Sequence, residues 1–158
     1  MEKRKIKNPW LHREGYNCFG CAPGNEYGLK MEFYDEGEKV SCVWKPSANY
    51  QGWIDTLHGG IQATLLDEIC AWAVMRQMGR AGVTSKMETT YKRPIKTTDE
   101  WIRLEARVTE TRRNIAYVEA AIYDMQGNLA THARCIYFTF TPEKAREEMG
   151  FEGCELEA

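Results

Sequence analysis

Between Thr56 and Glu68 the chain reads Thr-Leu-His58-Gly59-Gly60-Ile-Gln-Ala-Thr64-Leu-Leu-Asp67-Glu68, a stretch that concentrates groups suited to carbonyl chemistry. Two adjacent glycines at a helix start let a ligand approach the first-turn N–H groups with no side chain in the way. Those N–H groups lack intrahelical partners and lie at the positive end of the helix dipole. They can therefore polarise a carbonyl and hold the oxyanion of a tetrahedral intermediate. The plainer alternative is a hinge with His58 as an ordinary cap.

Asp67 lies seven residues past Gly60. At about 100° per residue the two share a helix face with Thr64 and Ala71. Its neighbours Leu65, Leu66, Ile69 and Cys70 are apolar, so the helix carrying it must be largely buried. A carboxylate in such a helix is costly unless paired or used. Glu68 is turned by about 80° from that face, which places it at a helix margin or in a salt bridge. Asp67 is thus the preferred acid.

Seven residues of helix also place Asp67 roughly 10 Å along the axis from the Gly60 backbone. A base, or the water it activates, must come within about 3 Å of the reacting group. One helix cannot supply both halves of the site. An antiparallel second copy across a two-fold axis would bring one chain's Asp67 to the other's Gly59–Gly60.

The elements that must hold these groups follow from periodicity. Ile61, Leu65, Ile69, Trp72 and Ala73 recur at spacings of three and four, predicting one long helix from Gly59 to about Met78, with Gly79 and Gly82 as stop signals. Trp72 and Met75 read as core or pocket lining. Leu29, Met31 and Phe33 alternate with polar partners as a first strand, and Val40 to Trp44 is its hairpin partner. Four further strands are expected, over 83–93, from Ile102 to Thr109, from Ala116 to Ile122 and over 129–140. Thr141-Pro142 caps a short C-terminal helix. The expected organisation is an N-terminal arm over 1–28, a single α+β domain over 29–141 with an antiparallel sheet wrapped around the helix, and a tail over 142–158.

The 158 residues carry 21 basic and 23 acidic side chains and a formal net charge of −2, with no basic stripe to suit a nucleic acid. No apolar run approaches a membrane span and the charged N-terminus lacks a secretory apolar stretch, so the expected location is cytoplasmic. Free thiols are then expected for the six cysteines. Cys18-Phe-Gly-Cys21 has zinc-type spacing, but a structural zinc site takes four ligands and His12 is the only nearby histidine. A packed turn with no metal is the expectation. His132 reads as structural or rim-facing, and no Gly-x-Ser-x-Gly elbow supports a serine hydrolase.

The sequence resembles the phenylacetate-pathway (PaaI-type) acyl-CoA thioesterases of the hotdog superfamily. The likeness is carried by His58-Gly59-Gly60 with Leu65-Leu66-Asp67-Glu68, by Gly82-Val-Thr-Ser-Lys-Met-Glu-Thr-Thr-Tyr91-Lys-Arg-Pro94, and by Cys18-Phe-Gly-Cys21…Asn25…Gly28-Leu29. The resemblance implies a hotdog fold and hydrolysis of an acyl-CoA thioester by a homodimer or homotetramer without a cofactor. It implies that the Gly59 N–H binds the thioester carbonyl, that Gly60 continues the helix start, and that Asp67 of the partner chain is base or nucleophile. Thr84 falls where the family orients water, and Gln51, then Asn49, stand where a loop amide is often supplied. His58 would hold the loop. Ser85 competes with Thr84, although alternation points it to the opposite face. Lys86, Lys92, Arg93 or Lys96 would meet the phosphates of the nucleotide. Within the same superfamily, a non-catalytic acyl-CoA binding protein and a dehydratase are the alternatives.

Overall fold

The computed structural model describes residues 2–158. Seven antiparallel strands form one sheet: β1 Arg4–Lys5, β2 Tyr34–Asp35, β3 Val40–Trp44, β4 Gly82–Tyr91, β5 Ile102–Arg112, β6 Ile115–Tyr123 and β7 Leu129–Thr139. Their order across the sheet is β1-β2-β3-β5-β6-β7-β4, so β4 forms one edge. The helix α1, Gly59–Met78, packs on β5, β6, β4 and β7. The expected α+β hotdog architecture is therefore what the chain forms.

The helix begins where the glycine pair predicts and ends at Gly79, whose φ of 65° is the left-handed conformation glycine adopts freely. The Gly79 N–H donates to the Met75 carbonyl. Burial runs round much of the α1 circumference, from Leu65, Leu66 and Ile69 to Trp72 and Met75. The sheet covers one side. The other is covered by the N-terminal segment and its neighbours, where Trp72 stacks on Phe33 at 4.4 Å and meets Trp10 edge-on at 6.1 Å.

Two differences from the periodicity reading have backbone causes. Leu29, Met31 and Phe33 are buried as alternation requires, yet residues 29–33 do not join the sheet, and Lys30 breaks the extended path with a φ of 53°. Leu29 and Met31 instead donate their N–H groups to the carbonyls of Phe19 and Gly20, so the turn around Cys18–Cys21 occupies the place of a neighbouring strand. In β4 the register against β7 slips between Thr84 and Lys86, making Ser85 the extra residue of a bulge. Simple alternation fails there, and Thr84 and Ser85 are both exposed.

The N-terminal strand β1, not anticipated from the sequence, pairs with β2, and Ile6 bridges to Leu156 near the other end of the chain. Thr141 caps the short helix α2, Pro142–Lys144, by accepting from the Lys144 N–H. Among the described residues, no helix is long and apolar enough to cross a membrane.

Candidate active site

The start of α1 is organised by His58, whose Nδ1 accepts the Gly60 N–H at 2.8 Å. The Gly60 donor is thus committed, while among the described residues no protein acceptor takes the Gly59 N–H. The His58 N–H donates to the Tyr50 carbonyl, fastening the preceding loop. From β4, the Tyr91 hydroxyl donates to the Gly59 carbonyl at 2.7 Å, and its ring is 3.5 Å from where a Cβ on Gly59 would stand. Burial raises the Tyr91 hydroxyl pKa, so it remains a donor.

A groove of about 750 Å³ opens over this helix start, lined by Trp53, His58, Gly59, Tyr91, Lys92 and Arg93 among others. Of the four cations the sequence offered for a nucleotide, Lys92 and Arg93 line it and Lys86 and Lys96 do not. Gln51 and Asn49 lie outside it as well. The Gln51 side chain accepts the Asp55 N–H, and the Asn49 backbone N–H caps back onto Ser47.

Asp67 sits further along α1, half-buried, facing β4 and β7. Its Oδ1 accepts two hydroxyls, Thr84 Oγ1 at 2.7 Å and Tyr137 Oη at 2.7 Å. No protein donor meets Oδ2 among the described residues. Tyr137 also donates to the Asp67 carbonyl. Burial drives the Tyr137 pKa strongly upward, which keeps its proton on and its oxygen a donor. An aspartate held on one oxygen by two hydroxyls, with the other free, is oriented to accept a proton from water or to attack a carbonyl.

Of the predicted residues, the structure brings Thr84 to Asp67, places Ser85 beside it in the bulge, and leaves Thr64 bonding back to the Gly60 carbonyl. Tyr137 and Tyr91 were missed. Alternation along β7 puts Tyr137 on the buried face with Ala133 and Cys135, but nothing local says that its hydroxyl reaches a carboxylate 70 residues away.

Glu68 corrects an expectation. It lies neither at an open margin nor in a salt bridge among the described residues. The chain segment before residue 28 folds over this side of α1 and packs Cys18 and Cys21 against it. Trp72 Nε1 donates to Glu68 Oε1 at 3.1 Å, and Cys18 Sγ lies 3.5 Å from the same oxygen. Burial pushes the Glu68 carboxyl up to about 7.

A model of the thioesterase superfamily matches residues 55–131, the segment from the loop before α1 into β7. Mouse acyl-coenzyme A thioesterase 13 is 35% identical over 81 residues, or 51% of this chain and 57% of that protein. The match therefore spans little more than half of that relative's length. Among solved structures, zebrafish thioesterase superfamily member 2 superposes with a TM-score of 0.64 at 29% identity, covering 70% of this chain and 82% of that one. A Bacillus halodurans protein crystallised with CoA gives 0.60 at 25% identity, covering 71% and 72%. With a long helix packed on an antiparallel sheet and these likenesses centred on it, the chain has the hotdog fold and is similar to the thioesterase superfamily over residues 55–131.

Proposed function

We propose that this protein is an acyl-CoA thioesterase of the phenylacetate-pathway type, hydrolysing the thioester to a free acid and CoA. The observation that carries the reading is the Asp67 carboxylate, gripped on Oδ1 by Thr84 and Tyr137 and half-open to solvent. The Gly59 N–H and the α1 dipole serve as the oxyanion site. Lys92 and Arg93, which line the groove over that helix start, suit the phosphates of CoA. Mouse acyl-coenzyme A thioesterase 13 and the CoA-bound bacterial protein support this choice of substrate class.

Asp67 is separated from Gly59 by eight residues of helix, about 12 Å along the axis. The reaction therefore unites Asp67 of one protomer with the Gly59 N–H of the other. Self-association is favoured by the free outer edge of β4 and by Val83, Tyr91, Trp53 and Ile54, the last two more than 80% exposed. The assembly is a homodimer, extended to a homotetramer by pairing of dimers. His58 is a poor dehydratase base, because its Nδ1 is committed to capping.

Free-thiol release from a panel of acyl-CoAs tests the reading. Wild type turns over at least one substrate, and Asp67→Ala loses turnover by about 10²–10⁴. An inactive wild type that still binds CoA thioesters would establish the non-catalytic binding protein instead. Mixing Asp67→Ala with a Gly59→Val variant tests the shared site: each is inactive alone, and mixed dimers recover part of the activity. No recovery in demonstrably mixed dimers removes the shared site.

A further inference from the structure

We propose that Cys18, Cys21 and Glu68 bind a zinc ion that clasps the N-terminal segment to α1. The spacing Cys-x-x-Cys supplies two ligands, and folding supplies the third from a helix 47 residues further on. The donor atoms of the three side chains all lie within 4.8 Å of one another. The 3.5 Å between Cys18 Sγ and Glu68 Oε1 matches the roughly 3.6 Å separating a thiolate and a carboxylate oxygen on a tetrahedral zinc.

The surroundings fit a cation at the centre. Polar partners flank the cluster: Trp72 Nε1 donates to Glu68 at 3.1 Å, and the Tyr16 hydroxyl lies 2.9 Å from Cys21 Sγ. Asn8 Nδ2 donates in turn to Tyr16. Such partners orient metal ligands. A Cβ at residue 20 would stand 2.5 Å from the Glu68 carboxyl carbon, so a larger residue there would displace the Glu68 side chain from the two sulfurs. That close approach is what lets the turn deliver both sulfurs to the helix.

Two thiolates and a carboxylate select zinc over hard cations such as magnesium. All three ligands line a cavity of about 480 Å³ shared with Trp10, Trp72 and Met75. The fourth coordination position therefore belongs to solvent or to a ligand entering that cavity. Metal binding is read without turnover, so this proposal stands or falls separately from the thioesterase reading.

The test uses the reduced full chain and cobalt(II) as a spectroscopic stand-in for zinc. Thiolate-to-cobalt charge-transfer absorption should saturate at one equivalent per chain and be bleached by zinc. Glu68→Gln should weaken binding at least about 10-fold, and Cys18→Ser or Cys21→Ser should abolish the absorption. In wild type alone, zinc should shield Cys18, the one cysteine that is not fully buried, from alkylation mapped by mass spectrometry. It should also raise the thermal midpoint by roughly 5–10 °C at a hundredfold excess over Kd. Absence of charge-transfer absorption in the reduced protein, its survival in a folded Cys18→Ser/Cys21→Ser variant, or equal alkylation of Cys18 with and without zinc would overturn the proposal.

Discussion

Asp67 and Glu68 are consecutive residues with the same functional group, yet α1 delivers them to opposite kinds of surroundings. Asp67 turns towards β4 and β7, where two hydroxyls grip one oxygen and solvent reaches the rest. Glu68 turns towards the N-terminal segment and meets two sulfurs and an indole. One step of about 100° separates them. The first setting keeps a carboxylate available for proton transfer. The second takes it largely out of water and sets it beside two sulfurs, a setting suited to holding a cation. Chemical identity says little here about role; the element packed against each side chain decides it.

The sharpest way to break the contrast is to neutralise each acid in turn. Asp67→Asn should lower thioester turnover by about 10²–10⁴ while leaving the cobalt spectrum intact. Glu68→Gln should show its main defect in metal affinity. If Glu68→Gln matches Asp67→Asn in kcat and both keep the metal, the division of labour between the two faces is wrong. Trp72→Ala probes the ground they share, since the indole stacks on Phe33 and donates to Glu68. It should cost about 3–5 kcal/mol in urea denaturation, with KM and kcat altered less than stability.

How far the contrast could be read from the sequence depends on distance along the chain. The limits of α1 follow from Gly59-Gly60 and Gly79, and the preference for Asp67 follows from helix rotation, because both are local. Thr84 was placed by likeness to a family, and it does reach Asp67. The surroundings of Glu68 were not legible. They come from a segment around residues 10–21 whose sequence has no apolar period, and whose turn takes up the N–H groups of Leu29 and Met31. That same substitution of partners turned an expected strand at 29–33 into irregular chain beside a turn. Tyr137 was hidden for a related reason. Its apolar alternation marks it as core, and only the sheet order brings β7 next to β4 below α1.

Tyr137→Phe sharpens the Asp67 side by deleting one of its two donors. A hydrogen bond to a charged group contributes about 1.5–3 kcal/mol. Turnover should therefore fall about 10- to 100-fold, with KM little changed, as a misoriented base predicts. Thr84→Ala should act similarly and Thr84→Ser should restore most of the loss. If neither variant alters kcat, the hydroxyl grip on Oδ1 is structural and Asp67 is oriented by something in the partner subunit.

The smallest effect belongs to His58, at the point where α1 begins. As a cap it accepts the Gly60 N–H through Nδ1, a task usually given to Asn, Asp, Ser or Thr. Its loss in His58→Ala should cost about 1 kcal/mol of stability, seen as a shift in urea midpoint at constant slope. His58→Asn should recover that stability, because an amide oxygen can accept the same N–H. The two variants also separate capping from catalysis. A cap replaced by another cap should lower turnover by less than about 10-fold, whereas loss of a general base costs about 10²–10⁴ whatever the cap. A folded, stable His58→Asn protein with turnover reduced to that extent would move the proton-transfer role from Asp67 to the helix start.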